Sequence, residues 1–452
     1  MFEPSQMIVL ITVLLGAVFL GVHIAIALGV TAVLGLFMMT GDLNNTATFI
    51  SNSAYEVLRD YVFAVLPLFL LMGEFLAKCG AATDLFALVN RGSRWLVGRV
   101  AIATVLANAV FAFITGSSIA SAAAFSRIAW PEMQRFGYDR RFGLGCIAGS
   151  ACLGMLIPPS VLMIVWGVIT EESIGTLFIA GVIPGFAVTA LFCMYIIAVA
   201  IIRPQCVGEG SAPQAVDAAP VAAAGSQQDE DDIDMTRTAI GTALVLALVF
   251  GVLGGIWGGV FTPTEGAGVG AALSLVMALS RGTTLREIFD VILSVGRTSA
   301  PLLLLLIFAQ LYSRVLSMTG VTGLVESLFV GSGLEPWQIL ACMVLLWFAL
   351  GCVIDSISII LLTVPVFQPI AVAIGFDPTA FAILGILAIE TGLLTPPFGL
   401  LVFTVKAALP EENISAGEIF AGAIPYWICL LMVIVSIAAV PEIATWLPSI
   451  GR

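Results

Sequence analysis

Charged side chains are scarce in this 452-residue chain, in which Asp, Glu, Lys and Arg together make up 10% of the residues. A soluble domain usually carries about 25%, so the composition excludes an ordinary water-soluble fold. His23 is the single histidine, and the eight cysteines show no C-x-x-C or Cys/His metal spacing. We therefore expect neither zinc nor haem, and we interpret the cysteines as small buried apolar residues. Since no basic cluster is present, we also expect no nucleic-acid partner.

Apolar residues make up most of the chain, which is 60% hydrophobic with a mean hydropathy of +1.11. Apolar runs of roughly 20 residues recur along most of its length, and each is long enough to cross a bilayer as a helix. A β-barrel would instead show segments of about 10 residues with alternating polarity. The first run follows an acidic segment rather than a basic one, so we expect a retained span and not a cleaved signal peptide. The sequence predicts an all-α, polytopic membrane protein.

One polar segment, residues 203–237, divides the chain near its middle, and its composition is typical of a disordered linker. Motifs recur in the same order on either side of it. The run GMLIPP at 154–159 recurs as GLLTPP at 392–397, and GVIP at 181–184 recurs as GAIP at 422–425. Five such matches, at offsets of 238 to 241, predict two repeats, residues 1–202 and 238–452. Duplicated halves are a feature of secondary transporters.

Positive charges indicate that the two repeats are inverted relative to each other. Arginines flank residues 100–130 on both sides, so both ends of that segment are expected in the cytoplasm. We predict a re-entrant hairpin at about 100–130 and a second one, entering from outside, at about 337–370. The termini are then outside and the linker is cytoplasmic. The predicted spans lie near 6–22, 24–40, 62–80, 142–169, 177–202, 238–258, 266–280, 298–318, 379–407 and 417–440, with surface helices at 44–60 and 282–297.

Two of these spans, 142–169 and 379–407, carry a Pro-Pro pair near the middle. Proline removes a backbone donor and clashes with the preceding turn, so each span is predicted to be two half-helices around an unwound join. A packing kink would explain one such pair, but two at matching repeat positions favour a binding site. Freed carbonyls can coordinate a cation, and the N-termini of half-helices favour an anion.

The hairpin tips and the breaks offer the oxygen ligands that a sodium ion needs. Each hydroxyl among them could instead bond a carbonyl one turn back in its own helix. The nearest acids are Asp355 and Glu390, and either could bind a cation or relay a proton. Glu74 and Arg314 occupy equivalent repeat positions and have no assigned role. The first candidate set is Thr115, Gly116, Ser117 and Ser118 with Gly154, Ile157 and Pro159, and the second is Gly351, Asp355, Ser356 and Ser358 with Thr391, Gly392 and Thr395.

Three runs resemble the large membrane subunit of TRAP (tripartite ATP-independent periplasmic) transporters: FITGSSIA at 113–120, GMLIPPS at 154–160 and ETGLLTPP at 390–397. The resemblance covers the chain except for residues 203–237. It implies an elevator-type transporter of the ion-transporter superfamily, placed in the bacterial inner membrane and driven by sodium, with no other cofactor. It also implies two protein partners, a periplasmic substrate-binding protein and a small four-helix membrane subunit. Because the first repeat begins almost at residue 1, we expect that subunit to be a separate chain.

The resemblance also assigns roles to individual residues. Three residues before Thr115, where a hydroxyl is expected, the chain has Ala112, so only a backbone carbonyl could serve there. The implied sodium ligands are Thr115, Gly154, Ile157 and Pro159 at one site and Gly351, Gly392 and Thr395 at the other. The hairpin tips themselves predict a cradle for a carboxylate, because they supply helix N-termini. The residues expected to bind the substrate are Gly116, Ser117, Ser118, Asp355, Ser356 and Ser358 at the tips and Thr391 in the second broken helix.

The sequence therefore predicts the translocating subunit of a sodium-coupled TRAP symporter for small organic acids such as C4-dicarboxylates or sugar acids. One alternative is a self-sufficient sodium/anion symporter of similar fold that needs no binding protein. Another is an intramembrane enzyme with Asp355 and Glu390 as an acid/base pair, but the chain lacks a nucleophile or metal motif. A passive channel is disfavoured, because duplicated broken helices suit gating on both sides of the membrane.

Overall fold

The computed structural model describes residues 4–93, 95–208, 235–331 and 333–450. The regular structure of these residues is helical, apart from one isolated bridge between Tyr138 and Val207. The first half contains α1 (Pro4–Phe19), α2 (Ile24–Thr40), α3 (Leu43–Arg59), α4 (Val65–Lys78), α5 (Ala81–Gly92), α6 (Arg99–Thr115), α7 (Ser118–Arg135), α8 (Arg140–Ala151), α9 (Leu153–Leu156), α10 (Val161–Thr170) and α11 (Ile174–Ile202). The second half contains α12 (Met235–Trp257), α13 (Pro263–Ser280), α14 (Leu285–Thr319), α15 (Val321–Val330), α16 (Pro336–Gly351), α17 (Ser356–Ala373), α18 (Pro378–Gly392), α19 (Leu400–Ala408), α20 (Ala416–Ala439) and α21 (Glu442–Ile450).

Seven helical stretches in the described part of the chain are long and apolar enough to cross a membrane, and five shorter apolar helices accompany them. The stretch Arg140–Thr170 is the most enclosed of the seven, since the most apolar 18 residues within it are all buried inside the protein. The other six leave part of their apolar surface uncovered by protein. Such surface suits hydrocarbon rather than water. The prediction of an all-helical, multi-pass membrane protein is confirmed.

Most helices of the first half recur in the second at offsets near 240. The short helices α9 and α21 have no counterpart, and α3 and α4 together correspond to the single helix α14. Between α3 and α4 the chain leaves the helix at Asp60 (φ −68°, ψ 119°), whose carboxylate accepts a hydrogen bond from Val62 N at 2.9 Å. The residue 240 positions later is Ala300, whose methyl group cannot hydrogen-bond to the backbone in place of the helix. The surface helix predicted at 282–297 is therefore the first part of α14, which is 35 residues long and continues through Pro301.

Three short helices, α5, α15 and α21, were not predicted from the sequence. Gly80 separates α4 from α5 and Gly320 separates α14 from α15, with φ values of 78° and 81°. Glycine adopts this left-handed conformation without steric cost, so each position ends one helix and lets the next start in a new direction. These two glycines lie 240 residues apart and belong to one of the repeated motifs.

Part of the predicted linker packs against the body of the protein. Residues Pro204–Cys206 form a single 3-10 turn, and Asp139 N donates to the carbonyl oxygen of Cys206 at 3.0 Å. Residues 209–234, with the acidic run at 229–234, lie outside the described residues. Helix α12 begins at Met235, slightly before the predicted end of the linker.

Helices α8 and α20 cross at two glycines. A Cβ atom added to Gly145 would lie 2.1 Å from the carbonyl oxygen of Gly422, and one added to Gly422 would lie 1.9 Å from that of Arg141. The two backbones are therefore in direct contact, a packing that small residues permit between membrane helices. This crossing joins the first broken helix to the second half of the chain.

Gly145→Ala is expected to lower the stability of the purified protein by about 1–3 kcal/mol, because the added methyl group must push the two helices apart. Thermal unfolding in detergent measures this as a lower Tm. The matched control is Gly254→Ala in α12, where an added Cβ would meet nothing within 4 Å. Equal Tm values for the two variants would contradict the close crossing.

Candidate functional site

The tip of the first hairpin closes on the break in the first broken helix. Helix α6 ends at Thr115 and α7 begins at Ser118, with Gly116 between them at φ 56°. The broken helix leaves helical conformation at Ile157 (φ −85°, ψ 126°) and resumes at Val161. The Val161 amide donates to the carbonyl oxygen of Gly116, with an N–O distance of 3.3 Å. The tip therefore supplies a partner for a backbone group that the break leaves free.

Two glycines bring this tip and this break into backbone contact. A Cβ on Gly116 would lie 2.5 Å from the carbonyl oxygen of Pro159, and one on Gly154 would lie 2.7 Å from that of Ser117. These contacts place the four predicted ligands of the first sodium site around one point of the fold. They are Thr115, Gly154, Ile157 and Pro159.

The second tip and break meet in the same way. A Cβ on Gly351 would lie 2.7 Å from the Cα of Gly392, and one on Gly392 would lie 2.8 Å from the Cα of Gly351. Thr395 lies just beyond α18, where its amide donates to the carbonyl oxygen of Gly392 at 2.9 Å. Its hydroxyl accepts a hydrogen bond from the indole nitrogen of Trp427 at 3.1 Å. The three predicted ligands of the second sodium site are thus adjacent.

Three of the predicted hydroxyls donate to a carbonyl one turn back, the alternative considered in the sequence analysis. Thr115 donates to the carbonyl oxygen of Phe111 at 3.3 Å, and Thr391 donates to that of Leu387 at 2.6 Å. The Thr395 hydroxyl donates to the carbonyl oxygen of Thr391 at 2.9 Å. A hydroxyl that donates in this way keeps lone pairs for a cation, so these bonds are compatible with a ligand role.

The predicted substrate-binding residues differ in their exposure. Asp355 is exposed, and its carboxylate caps α17 by accepting a hydrogen bond from Ser358 N at 3.0 Å. Ser117 is half-buried and caps α7. Of the seven residues, these two are accessible in this conformation. The buried five are Gly116, Ser118, Ser356, Ser358 and Thr391.

Glu390 lies in the interior, where it reaches the second tip. Its side chain is buried, and its Oε1 accepts a hydrogen bond from the Ser356 hydroxyl at 2.9 Å. From the sequence, Glu390 was predicted to lie near the sites, but its contacts were not predicted. Its bond to Ser356 depends on tertiary structure, because the two residues are brought together only when the second hairpin packs on α18.

A separate cavity of about 480 Å³ lies between the start of α4, the end of α10 and α14. Arg314 is the one cation among its lining residues, and its guanidinium pairs with Glu56 at 2.6 Å. Arg314 is therefore anchored to α3, whereas its repeat equivalent Glu74 is exposed. The carboxylates that line the cavity are Glu56, Asp60, Glu171 and Glu172.

Gln368 on α17 connects this cavity to the core. Its Oε1 accepts a hydrogen bond from the indole nitrogen of the buried Trp166 at 2.9 Å, and its amide donates to Glu172. Burial raises the pKa of the Glu172 carboxyl above its ordinary value, and the hydrogen bond from Gln368 opposes that rise. A similar pair joins Gln134 to Glu412, where the Gln134 amide donates to a carboxylate oxygen at 2.9 Å. Glu412 lies 240 residues after Glu172. Neither pair was predicted from the sequence. The two glutamates share the repeat offset of 240, but the two glutamines lie 234 residues apart and so do not occupy equivalent positions.

Gln368→Met is expected to destabilise the protein by about 1–3 kcal/mol, because it leaves the buried Trp166 indole without an acceptor. Gln134→Met is the matched control. Its partner Glu412 is half-exposed and can bond water instead, so a change within about 0.5 kcal/mol is expected. Thermal unfolding of both variants in detergent measures the difference. A smaller loss for Gln368→Met than for Gln134→Met would contradict the bridging role.

Two interrupted helices that each meet a hairpin tip within a membrane protein are typical of transport proteins. The YdaH transporter of Alcanivorax borkumensis has a similar fold, with a TM-score of 0.60 and 15% identity over 88% of this chain and 89% of that one. MtrF of Neisseria gonorrhoeae gives a TM-score of 0.57 and 12% identity over 91% and 85% of the two chains. At these identities the likeness concerns the fold alone.

The chain belongs to the DctM component family of tripartite ATP-independent periplasmic transporters, which matches residues 10–443. It is 32% identical to the C4-dicarboxylate TRAP transporter large permease of Pseudomonas aeruginosa, over 94% of both chains. It is 28% identical to the ectoine large permease of Halomonas elongata, over 97% of this chain and 98% of the relative. It is 25% identical to the sialic acid large permease of Vibrio cholerae, over 96% and 97%. The resemblance to the large TRAP subunit is confirmed.

Proposed function

We propose that this chain is the large translocating subunit of a sodium-coupled TRAP symporter in the bacterial inner membrane. It imports a small organic acid that a periplasmic binding protein delivers, and it works with a separate small four-helix membrane subunit. One observation carries the proposal. Each hairpin tip packs against the helix break of its own half, and this close contact supports a shared binding site at each tip.

Sodium binding would order the tips before the substrate enters. An ion at the first site would draw Thr115 and the carbonyl of Pro159 together, and an ion at the second would hold Gly351 against Thr395. The mobile unit comprises the two hairpins and the two broken helices, and the remaining helices form the scaffold. The close approach of Gly73 on α4 to the carbonyl oxygen of Ile114, at 2.5 Å from an added Cβ, is one contact between the two parts. Movement of the mobile unit past this contact gives alternating access.

A carboxylate is the proposed substrate class. The named relatives transport C4-dicarboxylates, ectoine and sialic acid, and each of these compounds carries a carboxylate. Helices α7 and α17 begin at the two tips, where their positive dipole ends favour an anion. The accessible tip residues Ser117 and Asp355 would contact the part of the substrate that lies beyond its carboxylate.

Replacing Thr115 and Thr395 together by valine is expected to raise the half-saturating sodium concentration for uptake roughly tenfold or more. Each replacement removes one oxygen ligand, and a tenfold loss corresponds to about 1.4 kcal/mol. The matched control is Thr104→Val on α6, since the Thr104 hydroxyl is buried and donates to the carbonyl oxygen of Val100 at 2.7 Å. Equal sodium dependence of the double variant and the control would refute the site assignment.

Reconstitution tests the proposed function directly. The chain is placed in proteoliposomes with and without its small subunit and binding protein, and uptake of labelled C4-dicarboxylates and sugar acids is measured under a sodium gradient. Uptake that needs all three components and the gradient is the expected result. Uptake by this chain alone would support the self-sufficient symporter, and uptake indifferent to sodium would overturn the coupling.

A further inference from the structure

Glu390 lies where the two hairpin tips come together. Ser118 and Ser356 are the first residues of α7 and α17, 238 residues apart, and both are buried. The Ser356 hydroxyl donates to Glu390 Oε1 at 2.9 Å. Ser118 lies on the other side, against the first broken helix, since a Cβ added to Gly154 would lie 2.9 Å from the Ser118 amide nitrogen. One acid side chain is therefore bonded to the serine of the second tip and lies near the equivalent serine of the first.

The first repeat has no equivalent acid. The residue 238 positions before Glu390 is Cys152, and its thiol donates to the carbonyl oxygen of Glu390 at 3.7 Å. Equivalent positions of the two repeats are thus in contact, and one of them carries a carboxyl while the other carries a thiol. The carboxyl lies where the repeats meet and belongs to both tip environments.

The first turns of two helices meet at this acid. Helices α7 and α17 are each 18 residues long, and they begin at Ser118 and Ser356. Glu390 Oε2 and the Ser118 hydroxyl are buried and have no hydrogen-bond partner among the described residues. Rotation of the Ser118 side chain would satisfy both groups with one bond.

We propose that Glu390 is a positioning residue that couples the two hairpin tips, so that sodium binds cooperatively at the two sites. This inference rests on the proposed sodium symport. An ion at the first site orders the first tip and sets Ser118 against Glu390. Glu390 precedes Gly392 by two residues on α18, so fixing its side chain also fixes the backbone of the second site. The second ion then enters a site that is already formed.

The test measures initial uptake against sodium concentration in proteoliposomes containing the complete transporter. Two coupled sites give the unmodified protein a Hill coefficient approaching about 2. Glu390→Gln keeps the size of the side chain but replaces one carboxyl oxygen with an amide nitrogen, which cannot accept a hydrogen bond from Ser118. The variant is expected to have a Hill coefficient of about 1 and a several-fold higher half-saturating sodium concentration. A purely structural role would lower the amount of folded protein without changing the Hill coefficient.

Two serine variants keep the proposal testable if Glu390→Gln does not fold. Ser118→Ala and Ser356→Ala each remove one link to the carboxyl, and each is expected to lower the Hill coefficient. The control is Ser126→Ala, which removes a buried hydroxyl of α7 that donates to its own helix at Ala122 O, 2.7 Å away. Ser126→Ala is expected to keep the Hill coefficient of the unmodified protein.

The possible failures are distinguishable. Sodium-independent uptake by the unmodified protein would overturn the proposed symport and this inference with it. A Hill coefficient of about 1 in the unmodified protein, with uptake still sodium-dependent, would overturn the inference alone. The same would follow if the Glu390 and Ser118 variants both matched Ser126→Ala.

Discussion

Every backbone N–H and C=O group inside a bilayer needs a partner from the protein itself, since hydrocarbon offers none. The two broken helices are hardest to reconcile with this requirement, because the backbone groups at each break lose their partners within the helix. The first break is repaired by the bond from Val161 N to Gly116 O, and the second by the bond from Leu401 N to Leu393 O, each 3.3 Å long. The repair in the first half comes from a hairpin tip. That tip can approach so closely only because Gly116 and Gly154 lack side chains. The same contact creates a candidate site.

The two halves repeat the same order of helices but differ at single positions with large effects. Asp60 interrupts the helix that continues through Ala300 in the second half, because a carboxylate can bond the backbone and a methyl group cannot. Glu390 and Cys152 are a second such pair. At this pair of positions the second half has a carboxyl group where the first half has a thiol.

The sequence predicts well what local chemistry determines. The Pro-Pro pairs indicate both breaks, and the small polar run at 115–118 lies where α6 turns into α7. The second tip, by contrast, is marked by no such polar run before Asp355. Helices α5 and α15 were not predicted because each is short and follows a glycine, which in a sequence usually marks the end of a helix. The contact between Glu390 and Ser356 depends on how the second hairpin packs against α18, and no local pattern carries that information.

The position of Glu390 also bears on where a substrate anion could bind. The sequence analysis assigned the N-termini of α7 and α17 to a substrate carboxylate, with Ser118 and Ser356 among its donors. In the structure these two serines are buried, and Ser356 already donates to the carboxyl group of Glu390. The proposed substrate anion would therefore approach the tips from the side where Ser117 and Asp355 are accessible. Because Asp355 is itself an acid, the proposed binding of a substrate anion beside it would need cations at the two breaks to offset its charge. The proposed substrate site and the proposed sodium symport therefore depend on each other.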